Sequence, residues 1–145
     1  MIAVLRVSTR VNDEKVIVNE REYISAADVA SMPGEDYTLL YGQFLDDFRH
    51  RDQPGKAMLI AEPPRSLPDR PAYYDAMLAA SCESLAKDFS LSVPSWVYDP
   101  HYYLPSPVYA FDTNIPEYRK LLEDTTPGEF SSRNVFFGDT VMTRC

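Results

Sequence analysis

Two histidines, two cysteines and a few adjacent carboxylates are the residues of this 145-residue chain whose types and spacing could do chemistry. His101 follows Asp99 by two positions in the run VYDPHYYLPSP, and with Cys82 or Ser106 it would make a nucleophile and its base, the pairing used in acyl transfer. Such a triad needs a geometry that spacing alone does not supply, so the simpler reading of His101 is a loop histidine at the solvent edge. His50 and His101 do not fall with cysteines at metal-ligand spacing, and no metal site is expected. Cys82 lies within a helical pattern, as a small buried hydrophobe would, and Cys145 reads as a free thiol on the last residue. The pairs Asp46–Asp47 and Glu123–Asp124 would need burial to act as paired acids, and both fall where the pattern predicts exposure. There is no G-x-S-x-G elbow, no H-E-x-x-H helix and no Gly-rich phosphate loop, and five glycines leave little material for one. No catalytic residue and no cofactor are therefore expected; an enzyme built on His101 and a carboxylate stays as an alternative.

The other dense feature is PSWVYDPHYYLPSPVYAF, residues 94–111, with four prolines and seven aromatic or imidazole rings. Trp96, Tyr98, Tyr102, Tyr103 and Tyr109 are rings of the kind enriched at protein interfaces, and proline would present them with little ordering cost. They form the candidate partner-binding set, with Tyr102, Tyr103 and Tyr109 as the better surface candidates. The competing reading has the run wrap the C-terminal helices and bury most of its rings.

These residues need a scaffold, and the composition permits one. Hydrophobic residues make up 45% and charged residues 25%, the balance of a chain that folds around a core. At this length one domain is expected, with residues 1–36 as a small β/helix element and 37–145 as a helical core carrying the 94–111 loop. The net charge of −8, from 22 acids and 14 scattered bases, opposes a phosphate backbone and favours a basic protein partner. The longest apolar runs fall far short of the roughly 20 residues a membrane span needs, and no secretion signal opens the chain, so a cytoplasmic protein away from membranes is expected.

The runs IAVLRVS and KVIV, with Glu22–Ile24 behind them, read as a β-hairpin or small sheet. Ser25, with Asp28 three residues on, reads as a capping box opening a short helix that Pro33-Gly34 ends. Tyr37, Leu40, Tyr41, Phe44, Leu45 and Phe48 form an amphipathic helical stripe, and a short helix over 55–62 follows. PPRSLPDRP, residues 63–71, is a stiff connector. The longest helix spans 72–89, with Tyr74, Met77, Leu78, Ser81, Leu85 and Phe89 on one side and Asp75, Glu83 and Lys87 outside that stripe. Asn114 is placed to cap a further helix with Tyr118, Leu121 and Leu122 facing inward; NVFF, residues 134–137, reads as a strand, with a last turn capped by Asp139.

The order of these pieces resembles the C-terminal domain of a bacterial family of helix-turn-helix, antitoxin-like proteins found beside nucleotidyltransferase-like toxins. Phe44–Phe48, Leu59–Pro64, Leu78–Ala86, Leu91–Val97 and Phe130–Phe137 are similar in order to that family's EFLDEF, ALIAEEPP, LLAALAEHLA, GLPVPAWV and FRRRGIFVS. The resemblance covers roughly residues 40 to 140 and implies a helical domain that binds another protein, such as a basic nucleotidyltransferase-like toxin. The N-terminus departs from it. EYISAADVA resembles the opening helix of a helix-turn-helix, yet no basic second helix follows before Tyr37. The fold class expected is α+β, mainly helical, with three or more packed helices. The expected function is a non-enzymatic, antitoxin-like or regulatory partner protein, with a DNA-linked regulator using a reduced helix-turn-helix over 15–49, also as a homodimer, as the alternative.

Overall fold

The computed structural model describes residues 5–11, 14–21, 23–30, 36–64 and 71–142. It is a mainly helical α+β fold. Strands β1 (Leu5–Val11) and β2 (Glu14–Arg21) pair antiparallel, with register irregularities between Leu5 and Arg6 and between Val7 and Thr9. Tyr23 and Ile24, expected to extend a strand, lie in irregular backbone instead, where the Ile24 amide donates to the Asp47 carboxylate at 2.8 Å. Helix α1 (Ala26–Ala30) opens on a reciprocal capping box. The Asp28 amide donates to Ser25 Oγ at 3.1 Å and the Ser25 amide to Asp28 Oδ2 at 3.0 Å. The expected stop at Pro33-Gly34 and most of the 63–71 connector lie outside the described residues, as does Cys145.

Helices α2 (Tyr37–His50), α3 (Gln53–Ile60) and α4 (Tyr73–Asp88) build the core with α1. The α2 stripe is buried as its spacing predicts, and α3 starts where the Asp52 side chain accepts from the Gly55 amide at 2.9 Å. Helix α4 is buried nearly all round from Asp75 to Ala86, so more than one stripe faces inward. It ends with Ser90 in left-handed backbone (φ 58). The Leu91 amide then reaches the Ala86 carbonyl and the Ser90 amide the Lys87 carbonyl, a Schellman motif that turns the chain into residues 91–112.

Beyond α4 come tight turns at Ser95–Tyr98 and Pro100–Tyr102, then β3 (Val108–Tyr109), a turn at Ala110–Asp112, α5 (Pro116–Thr125), α6 (Gly128–Ser131) and β4 (Val135–Phe136). Strands β3 and β4 pair in parallel, Val108 with Val135 and Tyr109 with Phe136. Ile115, not Asn114, precedes the first turn of α5, and Leu121 is exposed while Leu122 is buried. Residues 139–142 form turns only.

Two charges expected at the surface lie inside. Asp47 is buried, holding the Ile24 amide and the Gln43 amide group, and Glu83 is buried against Arg133. Arg133 itself is fully buried. Its Nη1 donates to Glu83 Oε1 at 2.8 Å and to the Glu129 carbonyl at 2.7 Å, its Nη2 donates to the Val97 carbonyl at 2.7 Å, and its guanidinium sits 4.7 Å from the centre of the Tyr103 ring. Backbone bonds continue the tie: the Leu104 amide reaches the Arg133 carbonyl and the Val108 amide the Asn134 carbonyl. One guanidinium thus joins α4, the loop after it and α6.

Burial by itself would raise the Glu83 carboxyl, but hydrogen bonds from Arg133, Lys87 and Tyr98 outweigh it and hold the group below its ordinary range. A depressed carboxyl stabilises the fold fully above its unfolded-chain pKa of about 4.3, and that contribution is lost as pH falls through the lower folded value. Arg133→Ala is expected to lower unfolding free energy in urea by about 3–5 kcal/mol, because it leaves a buried carboxylate without its main partner. It is also expected to flatten the loss of stability below about pH 4.3; an unchanged acid profile would remove Glu83 from that role.

Candidate functional site

The residues proposed for acid–base chemistry do not converge. His101 is exposed, with its Nδ1 2.6 Å from Asp99 Oδ1 and its ring against Tyr102. Hydrogen bonds from the His101 ring and amide hold the Asp99 carboxyl below its usual range. Cys82 is fully buried, and desolvation pushes its thiol well above the ordinary range, so it is not a nucleophile within reach of His101. Ser106 is exposed. Among the described residues no group of three or more His, Cys, Asp or Glu could hold a metal ion.

The five rings picked out in 94–111 serve mostly the interior. Tyr102 is 2% exposed, and burial pushes its hydroxyl up to about 12, which removes it from the surface set: the turn at Pro100–Tyr102 directs the ring under the loop, edge-on to Trp96. Trp96 is half-buried and donates its indole N–H to the Ile60 carbonyl at 2.9 Å, pinning the loop to α3. Tyr103 is half-buried over Arg133. Tyr109 is half-buried between Phe136, stacked at 5.2 Å, and the Arg119 guanidinium at 4.5 Å, with its hydroxyl on Glu123. Tyr98 is the most open of the set, 49% exposed, and its hydroxyl donates to Glu83 at 2.9 Å. The run is therefore chiefly a wall of the core.

Its last ring is different. Phe111 is 91% exposed, with φ 57 in the left-handed region that L side chains rarely adopt, and Asp112 follows at φ 51. The turn residues Asp112, Thr113 and Asn114 mark this bend in the sequence, but nothing there says that the ring before them points outward.

Phe111 stands at a cleft of about 490 Å³. One part of its lining is a chain of rings from α2 and α4. Tyr41 stacks on Tyr37 at 5.8 Å, Tyr37 on Tyr74 at 4.2 Å, and Tyr73 meets Tyr74 edge-on at 4.8 Å and Phe137 at 5.6 Å. Tyr118 of α5 and the turn after β4 complete it. Two hydroxyls are tied back, Tyr37 to the Tyr74 carbonyl at 2.9 Å and Tyr41 to Ser81 at 2.6 Å, which fixes those rings. Desolvation and the neighbouring Tyr74 raise the Tyr73 hydroxyl. No Lys, Arg, His, Asp or Glu lines the cleft among the described residues, so it suits recognition by ring surfaces.

No family model, no curated protein and no solved structure matches this chain.

Near this cleft the apolar surface continues along α5. Ile115, just before α5, is 55% exposed, and Leu121, on α5, is 54% exposed. A second cavity, of about 450 Å³, lies beside Asp46, Asp47 and His50, with the His50 ring on the Asp46 carbonyl. The Asp47 carboxylate there holds the Ile24 amide and the Gln43 side chain. The sequence marked Tyr37, Tyr41, Tyr74 and Tyr118 as inward-facing; what it missed is that they line an opening.

Phe111→Gly relieves a strained backbone and removes little buried surface, so this variant is expected to be no less stable in urea, with a gain of up to about 1 kcal/mol. Trp96, the chain's one tryptophan, reports the transition. A loss of stability would mean that the ring packs into the fold.

Proposed function

We propose that this chain is a non-enzymatic partner-binding protein of the antitoxin-like or regulatory type, and that it works in the cytoplasm through the aromatic cleft and the Phe111 rim. The observation that carries the reading is the exposed Phe111 ring on left-handed backbone beside that cleft. Strain of order 1–3 kcal/mol persists where the surroundings impose it, and it collects at sites of function. A large apolar ring held in water on such a backbone is a cost to the isolated chain that burial against a partner would recover. The ordered resemblance of residues 40–140 to antitoxin-like proteins supports the same reading. It extends to a basic nucleotidyltransferase-like toxin as partner, and the net charge of −8 suits such a surface.

DNA contact over 15–49 draws less support. Helix α2 buries eight of its fourteen residues, and its exposed positions are Thr38, Leu39, Arg49 and His50, a thin basis for phosphate contacts. No helix of the described residues is long and apolar enough to cross a membrane.

A photo-crosslinking phenylalanine at position 111, installed in the chain in its native cells, is expected to trap one protein in stoichiometric amount. The same group at exposed Met58 on α3 is the control and is expected to trap none. Identical adducts at both positions, or none at 111, would contradict the reading.

A further inference from the structure

The cleft's chemistry restricts what a partner would place in it, an inference that rests on the partner-binding reading above. Half-buried rings of Tyr73, Tyr118 and Phe137 line it, and Phe111 stands fully open beside them. Aromatic faces carry negative potential and attract cations, and tyrosine and phenylalanine rings without a carboxylate among them favour a weakly hydrated cation over a strongly hydrated one. In the chain, acids flank several residues of this lining. Asp36 precedes Tyr37, Asp112 follows Phe111, Glu117 precedes Tyr118, and Asp139 precedes Thr140, so these four lining residues each have an acid next to them in the chain. Two bases lie close by and both guanidinium groups are held: Arg49 Nη2 donates to the Met142 carbonyl at 3.1 Å, and Arg119 Nε donates to the Thr113 carbonyl at 2.6 Å while its guanidinium covers Tyr109. The fold also uses this pairing internally. Arg51 lies 4.3 Å from the centre of the Tyr23 ring, Arg119 4.5 Å from that of Tyr109, and Arg133 4.7 Å from that of Tyr103.

We infer that the cleft receives an arginine side chain from a basic segment of the partner, its guanidinium among the rings and the flanking bases of that segment near the acids at the rim. Arginine suits this place better than lysine because its planar group stacks on rings and gives up water more readily. An apolar segment would use the rings alone and leave the acidic surroundings without a role.

The test titrates the whole chain, isotopically labelled, with three capped tetrapeptides, Gly-Arg-Arg-Gly and its citrulline and phenylalanine counterparts, and follows backbone amides by NMR. Citrulline keeps the shape of arginine and removes its charge. The inference predicts saturable shifts at Thr38, Phe111, Thr140 and Val141 with the arginine peptide, binding weakened about tenfold or more with citrulline, and about three- to tenfold weakening in Phe111→Leu and Tyr73→Leu. Phe111→Leu changes an exposed side chain, so its result does not depend on tolerance of the core. Saturation by the phenylalanine peptide but not the arginine peptide would overturn the inference while leaving the cleft as a docking site. Silence from all three would overturn both. Shifts that grow with protein concentration alone would assign the cleft to a second copy of the chain and overturn the arginine.

Discussion

A guanidinium taken out of water must be neutralised and hydrogen-bonded, and Arg133 meets most of that demand, all but its Nε, with groups drawn from three separate parts of the chain. Glu83 of α4 supplies the charge, while the Glu129 carbonyl accepts from Nη1 and the Val97 carbonyl from Nη2. Such a pair contributes little net free energy compared with apolar packing, but either partner left alone is costly. What the pair does is restrict geometry. The loop after α4 has little regular secondary structure of its own, and this side chain is one of those that tie it to the helix.

The consequence runs toward the cleft. With the Val97 carbonyl fixed by Arg133, and Leu104 and Val108 bonded to residues 133 and 134, the chain reaches β3 in a set register beside β4. The next residues then turn, with Phe111 and Asp112 in left-handed backbone, and leave the Phe111 ring outside. From the other side, Trp96 on the Ile60 carbonyl and Tyr102 beneath the loop attach the same segment to α3 and α4. Apart from Tyr98, the rings between residues 96 and 109 thus support the loop, whereas Phe111 stands open beside the cleft lined by rings of α2, α4 and α5.

Much of this was legible in the sequence and some was not, for physical reasons. Periodicity located α2, α4 and the burial of Phe44, Phe48 and Leu85, because a helical stripe reports its buried face directly. The Ser25–Asp28 box was legible because capping is local. Glu83 was misplaced because a stripe assumes one buried face, whereas Ala76 to Ala86 is apolar or small at nearly every position. A helix buried all round obliges any carboxylate in it to find a partner, and that signal was present in AMLAASCESLA. The partner, fifty residues on, was not readable, since nothing local marks Arg133. Tyr102 was misjudged for a related reason: proline spacing shows that a segment is stiff but not which side it turns to the core.

Arg133 is the central clamp on residues 95–112, and hydrogen exchange measures its hold directly. In Arg133→Met, the amides of Asp99, Tyr102, Leu104 and Val108, each bonded within or across this segment, are expected to lose protection relative to the parent while those in the middle of α2 and α4 keep theirs. Unchanged protection across 95–112, or an equal loss throughout the core, would contradict it.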